Sequence, residues 1–327
     1  MGFPRRQFLR LAAGASVLPA VSSLAWAQAW PARLIRTIVP FTAGSATDII
    51  ARTVFDLLSE RLGQSIIVEN RTGAGGTIGA TLVARADPDG YTILVNSSSH
   101  TVIPSLYPNA PYDTTRDFSG VIPLGSLSNV LVVSPSKGFK NLRELVAAAR
   151  AKAGAITYAS AGVGSATHFS AERLRLSANF EGVHVPFRGA TEAQTEVMTG
   201  RVDFYCAALT SALPFIRDGK LIPLAVSTPK RASALPDVPT TLEAGLANSD
   251  YTFWVAVFVP VKTPKAIVEK LHQETFKTLQ SGNVREKLAA LGVDPMPVNP
   301  AELDALVQAE IAANAAVIKA ANIRAGS

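Results

Sequence analysis

Two stretches of this chain share one construction, and few folds accommodate both. Leu34-Ile35-Arg36-Thr37-Ile38-Val39 reads as a strand that runs through Pro40-Phe41-Thr42-Ala43-Gly44-Ser45-Ala46-Thr47-Asp48 into a helical pattern. Ala155-Ile156-Thr157-Tyr158-Ala159-Ser160 does the same, through Ala161-Gly162-Val163-Gly164-Ser165-Ala166-Thr167-His168. A strand leaving through a short glycine- and serine-containing loop into a helix is the repeating unit of an α/β fold. Each loop also delivers the unpaired N–H groups of a helix start to one spot, where the helix dipole adds about half a positive charge. Such a spot takes an anion. Loops of this kind on facing domains would hold one carboxylate between them.

The alternation extends along most of the chain. Ile50, Val54, Leu57, Leu58 and Leu62 repeat at helical spacing and Gly63 stops the helix. Ser65 to Glu69 and Tyr91 to Val95 read as strands around a helix that ends near Ala86. A polar, proline-containing stretch from Asn96 to Phe118 interrupts the pattern, and short strands return at Gly120 to Leu124 and Val130 to Ser134. A second α/β block then runs to a strand at Ile222 to Val226. Beyond a loop-rich stretch, one apolar strand, Phe253 to Val259, and helices at Lys265 to Leu279, Val284 to Leu291 and Ala301 to Ala321 are too few to make a sheet of their own. They pack on the first block, so the chain crosses between blocks twice. The expectation is a two-lobed α/β fold with a two-strand hinge, in which 28–131 and 227–327 form lobe one and 132–226 lobe two.

At 327 residues and 48% hydrophobic, the chain has material for a sizeable core in each lobe. Residues 1–27 are set aside as a signal peptide: Arg5, Arg6 and Arg10 precede an apolar run from Leu11 to Leu24 that ends in Ala25-Trp26-Ala27. Arg5-Arg6-Gln7-Phe8-Leu9 leaves both the Sec and the twin-arginine route open, and either leads to the periplasm. Without the three arginines the formal charge falls by three, from +6 to +3, a mild excess that suits small anions. No run of like charges and no basic stretch interleaved with aromatics points to nucleic acid.

Chemistry that would make the chain an enzyme is absent from the pattern. Cys206 is the single cysteine, in an apolar strand with no charged neighbour to lower its pKa. His100, His168, His184 and His272 lack metal-ligand spacing, so neither a metal nor a cofactor is expected. Gly73-Ala74-Gly75-Gly76-Thr77-Ile78-Gly79 departs from a dinucleotide fingerprint, its third glycine falling one residue late. Ser134-Pro135-Ser136-Lys137 has a proline where a nucleophile helix would begin. No nucleophile, base and orienting group come together, and binding without catalysis is the expectation. In the first loop Ser45 and Asp48 have capping-box spacing, so Asp48 consumes part of the local positive potential. His168 holds the corresponding place in the second, where an incoming anion is expected to meet no internal competitor.

At these residues the chain resembles the Bug-type (TctC-like) solute-binding receptors of tripartite tricarboxylate transporters. The matching blocks are Ile38-Val39-Pro40-Phe41, Val68-Glu69-Asn70-Arg71, Gly73-Ala74-Gly75-Gly76, Pro88-Asp89-Gly90-Tyr91-Thr92, Pro111-Tyr112-Asp113, Tyr158 to Ser165, His184-Val185-Pro186-Phe187 and Leu235-Pro236-Asp237-Val238-Pro239-Thr240. The resemblance implies a type II periplasmic binding protein, or Venus-flytrap, fold. It implies a monomeric receptor that closes on a small mono- or dicarboxylate and passes it to two integral membrane subunits. A receptor that presents its ligand to a sensor kinase is the alternative. It further implies that Phe41, Thr42, Ala43, Gly44, Ser45 and Thr47 grip a carboxylate together with Ser160, Gly162, Val163, Gly164, Ser165 and His168. Ser97, Ser98, His100, Phe187, Arg188, Gly189 and Ala207 would line the rest of the cleft. Where many relatives read Pro-Gly-Gly this chain has Ala43-Gly44-Ser45, and Ala207-Ala208 stand where many carry an acidic residue and an asparagine. The missing carboxylate removes a partner for an ammonium group, so amino acids are expected to bind less well than plain acids. With Phe41, Phe169 and Phe187 near, an aromatic acid is admissible.

Overall fold

The computed structural model describes residues 30–325, so the segment read as a signal peptide lies outside the described residues. Trp30 to Ala32 precede a compact body that begins at Arg33.

In the first part of that body, β1 (Ile35–Val39) is flanked by β2 (Ile66–Asn70) and β3 (Thr92–Ser97), both parallel to it. The crossovers are the helices α1 (Ala46–Leu62) and α2 (Thr77–Ala84). A 3-10 turn at Ser98–Thr101 and the one-turn helix α3 (Ile103–Leu106) follow β3. β4 (Phe118–Val133) is a single 16-residue strand, where the sequence suggested two. Pro123, Gly125 and the polar Ser126 and Ser128 interrupt the apolar pattern. The register shifts at Gly120/Ile122 and Pro123/Gly125 carry the strand through them as bulges.

The later part repeats the first arrangement. α4 (Leu142–Ala151) leads to β5 (Ile156–Ser160), α5 (Ala166–Ala178), β6 (Gly182–Pro186), α6 (Ala190–Met198) and β7 (Phe204–Ala208). β5 runs parallel to β6 and β7. Then come α7 (Leu209–Arg217), β8 (Ile222–Val226), β9 (Thr252–Pro260), α8 (Lys265–Gln280), α9 (Gly282–Ala290), the two-residue β10 (Val293–Asp294) and α10 (Pro300–Ala321).

The strand order is β2-β1-β3-β9-β4-β7-β5-β6, with β8 and β10 also paired to β4. Two parallel triplets thus flank a central antiparallel pair, β9 and β4. β4 serves both sides: Phe118 to Ser128 pair with β9, and Asn129 to Val133 pair with β7. The chain's return is stitched to the same place. Asn129 and Ser227 exchange hydrogen bonds, Asn129 N–H to Ser227 Oγ at 3.1 Å and Ser227 N–H to the Asn129 carbonyl at 2.8 Å. The hydroxyls of Ser128 and Thr228 also meet.

Burial follows the two periods. Ile38, Leu94, Phe118, Trp254, Phe258, Leu303 and Val307 form one core on the β1 side. On the other side, successive residues of β7 alternate between the two faces of the sheet. Phe204 and Cys206 pack with Leu131, Tyr158 and Leu174, while Tyr205 and Ala207 pack with Val130, Ala159 and Leu213. Burial pushes the Cys206 thiol up to about 12, so it is an inert core group.

Candidate functional site

The two strand-to-helix loops fold alike from Gly44 and Gly164 onward. Gly44 and Gly164 both take a left-handed conformation, φ 77° and 83°. Each loop folds back one residue later, through Ser45 N–H to the Thr42 carbonyl and Ser165 N–H to the Gly162 carbonyl, both at 3.1 Å. Ser45 and Ser165 are the caps of α1 and α5, with nearly identical backbone angles, and their hydroxyls accept from Asp48 N–H and His168 N–H. Gly-Ser-Ala-Thr is common to both stretches, and the left-handed glycine followed by an extended serine is what those residues favour.

The residue after Gly-Ser-Ala-Thr does the same work in both. Asp48 Oδ2 accepts from Gly44 N–H at 3.0 Å, and His168 Nδ1 accepts from Gly164 N–H at 3.2 Å. The expectation that the second loop lacks an internal competitor is therefore corrected. A neutral imidazole carries one lone-pair nitrogen, and here that nitrogen satisfies the glycine amide as a carboxylate would. The N–H groups of Ala46 and Thr47, and of Ala166 and Thr167, have no acceptor among the described residues. Thr42, Ala43 and Val163 N–H are likewise without an acceptor among the described residues, so each loop keeps a donor at its tip as well as two at the helix start, while the amides of Gly44, Ser45, Gly162, Gly164 and Ser165 are spent internally.

Each capping residue is anchored from behind. Asp48 Oδ1 accepts from Arg52 Nε at 3.0 Å and from Asn70 Nδ2 at 2.9 Å, and Asn70 also donates to the Phe41 carbonyl. His168 stacks on His184 with centroids 3.9 Å apart, and its Nε2 lies 3.7 Å from Glu172. Tyr158 and Arg175 also hydrogen-bond Glu172. Burial alone would raise that carboxyl, but His168, Arg175 and Tyr158 together hold it down at about 2. His184 is pushed down to about 3 by burial and by His168, and its Nε2 lies 2.7 Å from Ser160 Oγ. Ser160 Oγ accepts the Gly162 N–H as well.

The loops meet elements from the other side of the molecule. A methyl group on Gly189, the cap of α6, would lie 2.4 Å from Thr42 Oγ1, and one on Gly44 would lie 3.9 Å from Thr191. Thr42 Oγ1 is buried there without a hydrogen-bond partner. Gly162 lies against the Phe187 carbonyl, and Phe187 N–H donates to the Ser160 carbonyl at 3.0 Å. Arg188 is exposed beside them. Asn129, at the crossing point of β4, donates to the Ala166 carbonyl at 3.3 Å. The phenol of Tyr205, buried beneath Thr167, finds no partner of good geometry. In the sequence Asn129 and Tyr205 each read as an ordinary strand residue.

The other expected site residues are held by contacts of their own. His100 is fully buried between the rings of Phe118 and Phe258, and burial pushes it down to about 3; it is a core residue, because its ring fills an aromatic cage. Ser97 caps the 3-10 turn, and Ser98 accepts from Tyr251 at 2.9 Å. Ala207 packs in the core beneath β7. Phe169 is completely buried, edge-on to His168. A cavity of about 960 Å³ lies among β4, α8, α9 and the approach to α10, lined by Leu124, Phe276, Leu288 and Met296. Among the described residues no His, Cys, Asp and Glu group has metal-site geometry, and no helix is long and apolar enough to cross a membrane.

Comparison with known proteins places this arrangement. Rpa4515 of R. palustris, solved with adipate, is 33% identical, with a TM-score of 0.86 over 90% of this chain and 99% of that one. MatC from Rhodopseudomonas palustris, solved with bound malate, is 34% identical with a TM-score of 0.84, covering 88% of this chain and 100% of that one. The periplasmic binding protein BugD is 32% identical, with a TM-score of 0.85 over 90% and 99% of the two chains. The fold is that of the two-lobed periplasmic solute-binding proteins. The family described as tripartite tricarboxylate transporter family receptor, TctC, matches residues 50–323, and this chain belongs to it.

Proposed function

We infer that the protein is a periplasmic receptor that closes two lobes on a small carboxylic acid and delivers it to the membrane subunits of a tripartite transporter, without catalysis. The observation that carries this reading is the matched pair of caps. Four N–H groups without internal acceptors, two at each helix start, stand in loops that reach the opposite side of the molecule at Thr42 and Gly189. One carboxylate offers about four lone-pair sites, and two helix dipoles favour its charge. The unpartnered hydroxyl of Thr42 supplies a further donor at the same seam. That relatives were solved with malate and with adipate fits a dicarboxylate, one end held by the loops.

In this reading the lobes join near Ser128/Asn129 and Ser227/Thr228, where the two crossing segments are bonded to each other. Ala207 and Ala208 leave no carboxylate at the end of β7, which disfavours a ligand ammonium. The test is a thermal-shift screen of malate, adipate, aromatic acids, aspartate and glutamate, followed by calorimetry. A ligand at a hundred times its dissociation constant stabilises by about 2.7 kcal/mol. Tighter binding of aspartate or glutamate than of the non-amino diacids would overturn the ligand class. No stabilisation by any carboxylate would overturn the receptor reading.

A further inference from the structure

The second loop has a neighbour that neither its sequence nor its cap explains. α3 and its C-terminal residue Tyr107 follow β3 on the far side of the crossing, yet they pack on Val163 and Gly164. The Tyr107 hydroxyl donates to the Val163 carbonyl at 3.5 Å. Its ring lies between two glycines. A methyl group at Gly75 would be 3.0 Å from ring carbon Cε2 and 3.1 Å from the Val163 carbonyl oxygen. One at Gly164 would be 3.6 Å from the same ring carbon and 2.7 Å from Leu106. Both glycines hold positive φ, 64° and 83°, so neither place suits another residue. Burial raises the Tyr107 phenol, in keeping with a hydroxyl withdrawn from water toward one acceptor.

We propose that Tyr107 is a positioning residue of the carboxylate site, a latch that docks the second loop on the first lobe as the lobes close. The inference rests on the functional reading above. Tyr107 touches no solute in this scheme; it acts through the Val163 carbonyl and holds the loop that presents Ala166 and Thr167 N–H. None of its contacts involves a ligand, so the latch favours closure in ligand-free protein as well. Release of a ligand must break it, and its effect falls on residence time more than on association. The Gly73–Gly76 turn, which resembles a nucleotide loop in sequence, then has a mechanical role: it leaves space for the ring and for Val163.

The test reads closure without a ligand. In a Thr42→Cys, Gly189→Cys protein the two Cβ positions lie about 3.1 Å apart in the closed form, short of the roughly 3.5–4.5 Å a disulfide spans, so a slight parting of the two elements admits the bridge, and Cys206 is buried and does not compete. With copper–phenanthroline as oxidant, the bridging rate reports the closed population. Tyr107→Phe in this background slows bridging about fivefold, the equivalent of one hydrogen bond of about 1 kcal/mol. Tyr107→Ala slows it further. Slowing by the alanine variant alone, with the phenylalanine variant unchanged, overturns the latch through the Val163 carbonyl. Rates unchanged in both variants overturn it, and the phenylalanine variant decides should the alanine variant fail to fold. Thermal shifts of the unaltered chain with malate and adipate test the functional reading separately, so a failed latch and a failed receptor reading are told apart.

Discussion

Gly164 shows how a residue can matter for a reason other than the one its sequence suggests. In a small-residue anion loop, a side chain at 164 would be expected to point at the ligand, and an aspartate there to repel it. The backbone instead directs a Cβ at Leu106, 2.7 Å away, in a left-handed conformation that already disfavours a side chain. Gly164→Ala should therefore weaken dicarboxylate binding about as much as Gly164→Asp, by calorimetry, with the fold retained by circular dichroism. An alanine variant of normal affinity beside an inactive aspartate variant would restore the charge explanation. Asp48 is a second residue whose weight lies in its hydrogen bonds. It is 3% exposed and accepts from Gly44, Arg52 and Asn70, so Asp48→Ala leaves several donors unmatched and should cost about 2–4 kcal/mol in urea unfolding. The histidines give a pH signature. His100 and His184 are held neutral, both pushed to about 3 by burial, while the unfolded chain takes up protons near 6.5. Their contribution is complete above pH 6.5 and is lost as pH falls from there toward 3. At pH 5 the two together should cost about 4 kcal/mol relative to neutral pH, measured by urea unfolding, and His100→Phe should remove about half of that loss. The caps were legible as sequence because Gly-Ser-Ala-Thr repeats. The role of His168 was not, since charge alone separates it from Asp48, and only geometry shows its lone pair spent on Gly164.

Among the elements, β4 was the hardest to read and the most consequential. The sequence pattern leaves a gap at Gly125 to Asn129, between strands at Gly120 to Leu124 and Val130 to Ser134, whereas the strand is continuous and carries two bulges. β10 was missed because two residues carry no period. The alternating helices and strands on either side were legible because long periodic segments with glycine stops are unambiguous, and their boundaries moved by only a few residues. Gly125 is where β4 admits β10: φ is 149°, and a methyl group would lie 2.5 Å from Val293 Cγ1 and 3.0 Å from the Asp294 carbonyl oxygen. Gly125→Ala should destabilise the protein by about 1–3 kcal/mol, measured by urea unfolding, with little change in far-ultraviolet circular dichroism. Loss of less than half a kcal/mol would mean that β10 can move aside without cost.

For the molecule as a whole, the proposed mechanism is motion about the bonded crossing at Ser128, Asn129, Ser227 and Thr228. A ligand shared by two lobes should reduce the radius of gyration, and scattering curves that superimpose with and without saturating dicarboxylate would argue against closure. The strand order also governs how the chain assembles. β9 sits between β3 and β4, yet more than a hundred residues of chain separate it from both. As the polypeptide emerges from its N-terminus, the apolar flank of β3 stays unpaired until Thr252 to Pro260 arrive, whereas β4 to β8 contain every neighbour that β5, β6 and β7 require. An open strand flank held so long invites pairing with foreign chains. Nascent protein stalled before β9 should therefore be the species most dependent on chaperones and quickest to aggregate.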